Sequence, residues 1–296
     1  MEEMKRGIAL TWYALDDPND PKLDELATQY QLHPLHIEDC RSHNERVKTE
    51  QTDEYLFYIL KYILSVDHGE LTLGTISLFV GRDYFISVRD ACHSNDRVLD
   101  RAKLTPGEPP PGKLLHLILD TIVDSFFPSI DKSDDFIDTL EDRVLGEPSP
   151  QTVEAIFDQK RKLIELRRVL VNTRDAVNST LRDPSDLIPG ELYPFFRDIY
   201  DHVLRLQDSV ETLRDLLNNT LDVYLSSVAN RTNQVMKVLT VLSTIALPAL
   251  VITSFYGMNV KGLPFIDAQY GAYYVVGAIL FWTVVMLLVM RKARWL

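Results

Sequence analysis

The chain has 296 residues, a net charge of −12 and only two cysteines. An excess of acid this large argues against a nucleic-acid partner, because phosphate backbones recruit Lys and Arg. It is compatible with carboxylate binding of divalent cations, and equally with a surface that is simply kept soluble. Two cysteines are too few for a disulfide framework or for a zinc site built from cysteine.

The first predicted domain, residues 1–112, has the pattern of an α/β domain. Stretches rich in Tyr, Phe, Ile and Val are predicted to be strands, at 8–15, 55–66, 72–80 and 84–88. Residues 21–30 and 33–40 are predicted to be short helices. A run of three prolines at 109–111 marks the end of this domain, since proline interrupts both helices and sheets.

Residues 113–236 are predicted to form a stalk of long helices. Apolar residues at three- and four-residue spacing predict one helix over 113–145, and a charged helix over 151–181 returns antiparallel to it. From 193 to 255 there is no glycine, and the only prolines are Pro194 and Pro248. This stretch therefore predicts a single helix of about 60 residues, or roughly 90 Å.

Residues 237–296 are predicted to form a transmembrane hairpin. Two uncharged apolar segments, 238–255 and 272–290, are long enough to cross a bilayer, the first when its ends are included. The crossings are predicted at about 237–256 and 272–290, joined by a loop at 257–271 and followed by a short basic tail. One hairpin cannot enclose a water-filled path, so ion conduction requires several copies around an axis.

Charge predicts the orientation of this hairpin. Residues 231–296 contain six Lys or Arg against the single acid Asp267, and basic residues flank both apolar segments. The positive-inside rule places these flanks, and with them both termini, in the cytoplasm. The first residues lack the apolar core of a signal peptide, so the large domain is expected to stay on the side where it is made.

The loop of the hairpin carries a family signature. Tyr256-Gly257-Met258-Asn259, at the end of the first crossing, resembles the signature of the CorA family of magnesium channels. Further similarity lies in the stretches 33–39, 79–88, 115–127, 196–202 and 236–240, and in Pro248. The resemblance covers nearly the whole chain from about residue 8.

The resemblance implies an α+β membrane protein that is not an enzyme. Its parts would be a cytosolic α/β domain, long stalk helices and a two-helix transmembrane hairpin, assembled as a funnel-shaped homopentamer. Its partners would be other copies of the chain, the lipid bilayer of the inner or plasma membrane, which it crosses more than once, and divalent cations. The implied function is Mg²⁺ influx down the electrochemical gradient, with passage of Co²⁺ or Ni²⁺, and with Mg²⁺ also acting as regulator.

The pore residues follow from the signature and from helical spacing. The resemblance assigns the selectivity filter to Gly257, Met258 and Asn259, whose neutral oxygens can hold Mg²⁺ with its water shell. The alternative is that Gly257 and Asn259 only cap the helix. Helical spacing selects one pore-lining face, with a gate that closes by dewetting: Asn233, Met236, Leu239, Thr240, Ser243, Leu247, Leu250 and Ser254. Such a stripe is also typical of a helix-packing surface.

The resemblance also implies regulatory Mg²⁺ sites between subunits. The main pair is assigned to Asp39 and Asp198, and a second cluster to Glu38 and Asp120. The alternative is an ordinary solvated acid or a carboxylate at a helix start. His33 and His36, one helical turn apart, have zinc-ligand chemistry, although two imidazoles without a third ligand are more typical of structural roles.

The loop after the signature departs from the family. Lys261 stands in a region where the family commonly has an acid, and Asp267 is the only acid left in the loop. A second hypothesis is therefore a transporter of Zn²⁺ or another transition metal on the same scaffold, with or without proton coupling. A third is a membrane-tethered cytosolic sensor that conducts nothing.

Overall fold

The structure, a computed structural model, describes residues 10–42, 46–67, 70–89, 98–103, 109–146, 148–258, 263–264 and 269–293. The chain divides into two compact units, Met1–Leu221 and Asp222–Leu296. The predicted domain boundaries at 112 and 236 do not coincide with this division. The first unit continues past residue 112 because helices that follow it pack on the sheet.

The first unit contains a five-stranded sheet. Its strands are β1 (Thr11–Leu15), β2 (Lys48–Gln51), β3 (Leu56–Asp67), β4 (Glu70–Val80) and β5 (Tyr84–Arg89). Their order across the sheet is β1-β5-β4-β3-β2. The central strands are antiparallel, with Leu56 opposite Val80, whereas β1 runs parallel to β5. The short strand β2 lies at one edge and pairs antiparallel with β3.

Helices cover both faces of the sheet, which explains why β3 is apolar without alternation. Helices α1 (Pro21–Gln29) and α2 (Pro34–Arg41) share one buried core with Phe57, Ile59 and Phe79. Helices α4 (Pro111–Asp124) and α6 (Pro150–Arg182) contact the sheet strands β3, β4 and β2. The first turn of α2 is capped by the His33 side chain, which accepts a hydrogen bond from the Leu35 amide.

The remaining helices of the first unit are α3 (Asp100–Lys103), α5 (Phe127–Gly146) and the beginning of α7 (Tyr193–Tyr256), after a 3-10 turn at Gly190–Leu192. The apolar seam of α7 is buried from Phe196 to Leu217. Its polar side is joined to α6 by an ion pair between Arg167 and Glu211. Thr220 donates to Glu141 of α5 at 3.1 Å.

One prediction about secondary structure was wrong, and one strand was missed. The single helix predicted over 113–145 is two helices, α4 and α5, separated at Ser125 and Phe126. Pro128 explains the break: it has no N–H to donate to the carbonyl of Asp124, and proline is favoured in the first turn of a helix and disfavoured in its interior. Strand β2 was not predicted, because its sequence Lys-Thr-Glu-Gln has no apolar pattern. The four strands and two short helices predicted before residue 90 are confirmed within a few residues.

The second unit contains the end of α7 and α8 (Gly271–Lys292). Both are long and apolar enough to cross a membrane, and the apolar stretch of each is almost wholly unburied. Helix α7 continues through Pro248 without a break. Exposure of so much apolar surface to water is unfavourable, whereas contact with lipid or with other copies of the chain would bury it.

Candidate cation-binding sites and membrane hairpin

Asp39 lies on the last turn of α2 and is bonded to a lysine. The Nζ atom of Lys48, the first residue of β2, donates to Asp39 Oδ2 at 2.7 Å and to Glu50 Oε1 at 2.9 Å. Lys48 and Glu50 are two residues apart on one strand, so their side chains leave the same face. Burial opposes the charge of Lys48, but the hydrogen bonds that Lys48 donates to Asp39 and Glu50, with the charges of these acids, outweigh it and raise the pKa of Lys48.

A buried histidine holds Glu50 in place. His36 Nε2 donates to Glu50 Oε2 at 3.0 Å, and its Nδ1 lies 2.7 Å from Tyr55 Oη. The Tyr55 hydroxyl also accepts from the His33 amide at 2.9 Å, so its own proton is free to bond His36 Nδ1. The hydrogen bond from His36, followed by that from Lys48, lowers the pKa of Glu50. His36 thus has both ring nitrogens bonded within the protein, which favours the structural role over zinc ligation.

Asp198 lies on α7 with an exposed side chain. Its Oδ2 is 3.9 Å from Nε2 of His202, one helical turn later. Among the described residues, no hydrogen bond or ion pair joins Asp198 to Asp39 within the chain. The predicted pair is therefore not assembled inside one copy, and its pairing between copies stays a prediction.

Asp120 belongs to a cluster that the sequence only half indicated. One ligand atom each from Asp120, Asp124 and His202 lies within 4.8 Å of the others. Arg101 forms an ion pair with Asp120 and lies 3.7 Å from Asp124. Burial, reinforced by the charge of Asp120, raises the pKa of Asp124. The spacing Asp120–Asp124 and Asp198–His202, four residues in each helix, was a signal that could have found this cluster.

Glu38, the other residue predicted for the second cluster, lies on α2 with an exposed side chain. It lines an open cleft of about 570 Å³ together with Leu32, Ile37 and Arg41. The described contacts do not join Glu38 to Asp120 within the chain. The assignment of both to one site stays a prediction.

The donor set of these sites fits a hard divalent cation. Asp39, Asp120, Asp124 and Asp198 offer carboxylate oxygens, the ligands that Mg²⁺ takes in proteins. One oxygen of Asp39 is used by Lys48, which leaves Oδ1 as a further acceptor. His202 adds an imidazole, which suits transition metals better than Mg²⁺. The four carboxylates are thus compatible with bound Mg²⁺.

The eight residues predicted to line the pore lie on the part of α7 that includes the second unit's apolar stretch. All eight predicted residues, from Asn233 to Ser254, are exposed, with Leu247 60% and Leu250 66% exposed. The partly buried positions form a different stripe: Val241, Thr244, Ile245, Pro248, Ala249, Ile252 and Tyr256. At 100° per residue the centres of the two faces lie about 160° apart.

Helix α8 carries a matching covered stripe. Its least exposed positions follow helical spacing: Gly271, Val275, Ile279, Thr283, Val285, Met286 and Met290. One covered stripe on each helix of the unit is the pattern of two helices packed side by side. The predicted pore residues of α7 lie outside its covered stripe.

The signature begins where α7 ends. The Gly257 amide donates to the Thr253 carbonyl at 2.9 Å, and a Cβ at Gly257 would lie 3.1 Å from that carbonyl oxygen. Glycine thus closes the last turn of the helix where a side chain would crowd the backbone. Met258 follows with an exposed side chain. Asn259, Lys261 and Asp267 lie outside the described residues.

The first unit carries clustered carboxylates, and two apolar helices long enough to span a bilayer follow it. This combination is typical of a membrane protein that binds cations. The family profile described as CorA-like Mg²⁺ transporter protein matches residues 8–292. The cobalt/magnesium transport protein CorA of Thermotoga maritima is 36% identical over 277 residues, which cover 90% of this chain and 77% of that protein. The chain belongs to the CorA-like Mg²⁺ transporter family.

Solved structures agree with this fold. The complete CorA magnesium transporter of Methanocaldococcus jannaschii matches with a TM-score of 0.84 and 22% identity, over 100% of this chain and 95% of that one. The cytoplasmic domain of ZntB from Vibrio parahaemolyticus matches with a TM-score of 0.60 and 16% identity, over 75% of this chain and 88% of that one. The predicted fold class is confirmed, as is a transporter rather than an enzyme. The pentamer stays a prediction.

Proposed function

We propose that this chain is a divalent-cation channel that admits Mg²⁺, with Co²⁺ or Ni²⁺ as further substrates. Five copies surround one pore, each contributing the exposed face of α7 from Asn233 to Ser254. A single observation supports this proposal: all eight predicted pore residues of α7 are exposed, whereas the partly covered residues between 241 and 256 form a different stripe of the helix. Family membership supports the choice of cargo.

The chemistry of the mouth suits a hydrated ion. Mg²⁺ sheds its water reluctantly, so neutral oxygens from Gly257 and Asn259 can accept hydrogen bonds from its water shell. Binding of this kind is weak enough to release the ion. The membrane potential supplies about 2.3 kcal/mol per charge per 100 mV, or about twice that for a divalent cation, so entry needs no ATP.

Below the mouth, the side chains of Met236, Leu239 and Leu247 form the gate. Rings of five such side chains around a narrow pore exclude water and so block a hydrated ion. Both termini and the large first unit lie in the cytoplasm of a cell whose inner or plasma membrane the hairpin crosses. This orientation follows from the basic residues that flank both apolar segments.

Regulation is proposed to act through carboxylates that face one another between copies. Asp39 of one copy and Asp198 of the next provide the main site, and Glu38 and Asp120 provide the second. When bound there, Mg²⁺ supplies a positive link that stabilises the closed assembly, so rising cytosolic Mg²⁺ reduces entry. Asp124 and His202, which lie against Asp120, are added to the second site.

The test is ion flux in liposomes that contain the purified full chain and an Mg²⁺-sensitive dye. We expect Mg²⁺ entry driven by voltage alone, lost in Asn259→Ala and slowed by internal Mg²⁺. Asn230→Ala is the matched control, since Asn230 is exposed on α7 outside the predicted pore face. Unchanged flux in Asn259→Ala would refute the filter, and absence of any flux would favour the non-conducting sensor.

A second candidate function is transport of Zn²⁺ or another transition metal. Lys261 motivates it, since a positive charge at the pore mouth opposes cation entry. The same liposomes with a Zn²⁺-sensitive dye, with and without a pH gradient, separate the two candidates. Zn²⁺ flux that requires the gradient, with little Mg²⁺ movement, would replace the first proposal by the second.

A further inference from the structure

The ammonium group of Lys48 is bound to the carboxylate of Asp39, which is proposed to sense Mg²⁺. Its Nζ lies 2.7 Å from Asp39 Oδ2, within the range of a charge-assisted hydrogen bond. The Asp39 side chain is 18% exposed and that of Lys48 is 31% exposed, so both groups are only partly accessible to water. No sequence pattern indicated this pair, because the two residues lie on different elements, α2 and β2.

The network behind Lys48 holds this lysine in place. Glu50 binds Lys48 at 2.9 Å and is itself held by His36, whose ring is buried and stacks on Phe57 at 4.2 Å between centroids. The Tyr55 hydroxyl fixes the other nitrogen of His36. Every polar group in this chain of contacts has a partner, so Lys48 has two defined carboxylates within reach rather than a free choice of positions.

We propose that Lys48 is an intramolecular counter-cation that neutralises Asp39 in the absence of a divalent ion and sets, by competition, how much Mg²⁺ the site requires. The inference rests on the proposed regulatory function of Asp39. A metal ion that coordinates Asp39 directly sits about 2.0–2.1 Å from its oxygen. An ammonium group on the other oxygen of the same carboxylate would repel that ion, so metal binding at Oδ1 favours a Lys48 that turns away from Asp39 toward Glu50.

Glu50 makes this exchange reversible. Because Lys48 already donates to Glu50, it keeps one charged partner when it leaves Asp39. The cost of displacement is then the loss of one hydrogen bond and the repulsion between two nearby cations, rather than the burial of an unpaired ammonium. A monovalent ion, with half the charge of Mg²⁺, gains less at Asp39 and does not displace Lys48. The pair therefore also discriminates between divalent and monovalent cations.

The test follows the thermal unfolding midpoint of the full chain in detergent as MgCl₂ is added at constant ionic strength. Ligand that binds the folded state raises the midpoint, so the concentration for half of the shift reports affinity without measuring flux. Lys48→Gln removes the charge but keeps a hydrogen-bond donor. We expect its half-saturating Mg²⁺ to fall about tenfold, since removing a cation near a divalent ion strengthens binding.

Three further variants make the result specific. Lys48→Arg keeps the charge, and its half-saturating Mg²⁺ should not fall as it does in Lys48→Gln, because a guanidinium binds carboxylates at least as firmly as an ammonium does. Lys132→Gln removes one charge from an exposed site on α5 and should not change the midpoint curve. Glu50→Gln deprives Lys48 of its second carboxylate while still accepting from His36. It should raise the Mg²⁺ requirement by about threefold, the opposite direction from Lys48→Gln.

Asp39→Asn separates the two proposals. If Asp39→Asn abolishes the Mg²⁺ shift but Lys48→Gln behaves like the wild type, the counter-cation is refuted and the sensor stands. If Asp39→Asn leaves the shift intact, both fail. The midpoints without Mg²⁺ show whether each variant folds, and if Lys48→Gln does not, an unchanged or lower requirement in Glu50→Gln refutes the inference.

Discussion

The hydroxyl groups of Tyr58 and Thr180 are 2.7 Å apart in the interior of the first unit. Thr180 donates its own proton to the Ala176 carbonyl at 3.0 Å, so Tyr58 is the donor of the bond between them. The two residues are separated by 122 positions and join β3, an interior strand of the sheet, to the long helix α6. Burial raises the pKa of Tyr58, which keeps the phenol protonated as this bond requires.

Replacing Tyr58 by Phe removes this donor and leaves Thr180 bonded to Ala176. We expect a loss of about 1 kcal/mol of stability, the usual net contribution of one hydrogen bond. For a unit of this size the unfolding midpoint should fall by about 2–4 °C. Tyr200→Phe, on α7 and only partly buried, is the control. A midpoint equal to that of the wild type would show that the bond contributes nothing measurable.

The proposed sensor predicts how single carboxylates affect inhibition by internal Mg²⁺. Asp39→Asn and Asp198→Asn each remove one charged ligand, so the Mg²⁺ concentration that halves the flux should rise about tenfold or more. Asp142→Asn, an exposed acid on α5, controls for net charge. Dye-loaded liposomes prepared with graded internal Mg²⁺ provide the measurement. Equal inhibition in all three variants would exclude a role for this pair.

The gate hypothesis predicts that polarity at one position opens the pore. Leu247→Asn lowers the cost of wetting the predicted constriction and should raise the flux that persists at high internal Mg²⁺, on the order of tenfold. Leu242→Asn is the matched control, because Leu242 is equally apolar and exposed but lies outside the predicted face. If both variants leak alike, the effect comes from a disturbed helix rather than from the pore.

Lys261 predicts an electrostatic limit on entry. Lys261→Glu should raise the initial rate of Mg²⁺ entry, with Lys261→Gln intermediate, because a positive charge at the mouth lowers the local cation concentration. The differences should shrink as ionic strength increases, since salt screens charges across the mouth. Initial rates at several salt concentrations test this. Rates independent of the residue at 261 would place the limiting step elsewhere.

His116 predicts how the stability of the first unit depends on pH. Burial, together with the charge of Lys113, lowers the pKa of His116 below its ordinary value of 6.5, and its Nδ1 is buried without a hydrogen-bond partner among the described residues. The unfolded chain binds a proton more readily between the folded pKa and 6.5, so stability is lost as pH falls through this window. The unfolding midpoint should decrease from about pH 7.5 to about pH 5.5. His116→Leu should decrease less; an equal decrease would assign the loss to other groups.

Much of the fold was predictable because its signals are local. Strands β3 to β5 are dense in branched and aromatic residues, and the length of α7 follows from a stretch without glycine. The break between α4 and α5 was missed because apolar spacing continues across Ser125 and Phe126, while the backbone effect of Pro128 ends the first helix. Strand β2 was missed because pairing with β3, rather than its own composition, makes it a strand.

The candidate sites were predictable only where one element holds them. The predicted pore residues of α7, from Asn233 to Ser254, all lie on one helix, so helical spacing alone groups them on one face. Asp120, Asp124 and His202 come from two helices, and Lys48 reaches Asp39 from a strand to a helix. Such contacts between elements depend on tertiary packing, which spacing within one element does not encode.

Strand β2 also bears on how copies of this chain can meet. It is the last strand on its side of the sheet and has only four residues, two of them charged. Short, charged edge strands resist pairing with the sheet of another molecule. The β2 edge therefore disfavours extension of the sheet from one copy of the chain to the next. Contacts between copies on this side would then be made by helices. Strand β2, which supplies the lysine that binds Asp39, thus also protects the protein against aggregation through backbone pairing at this edge of the sheet.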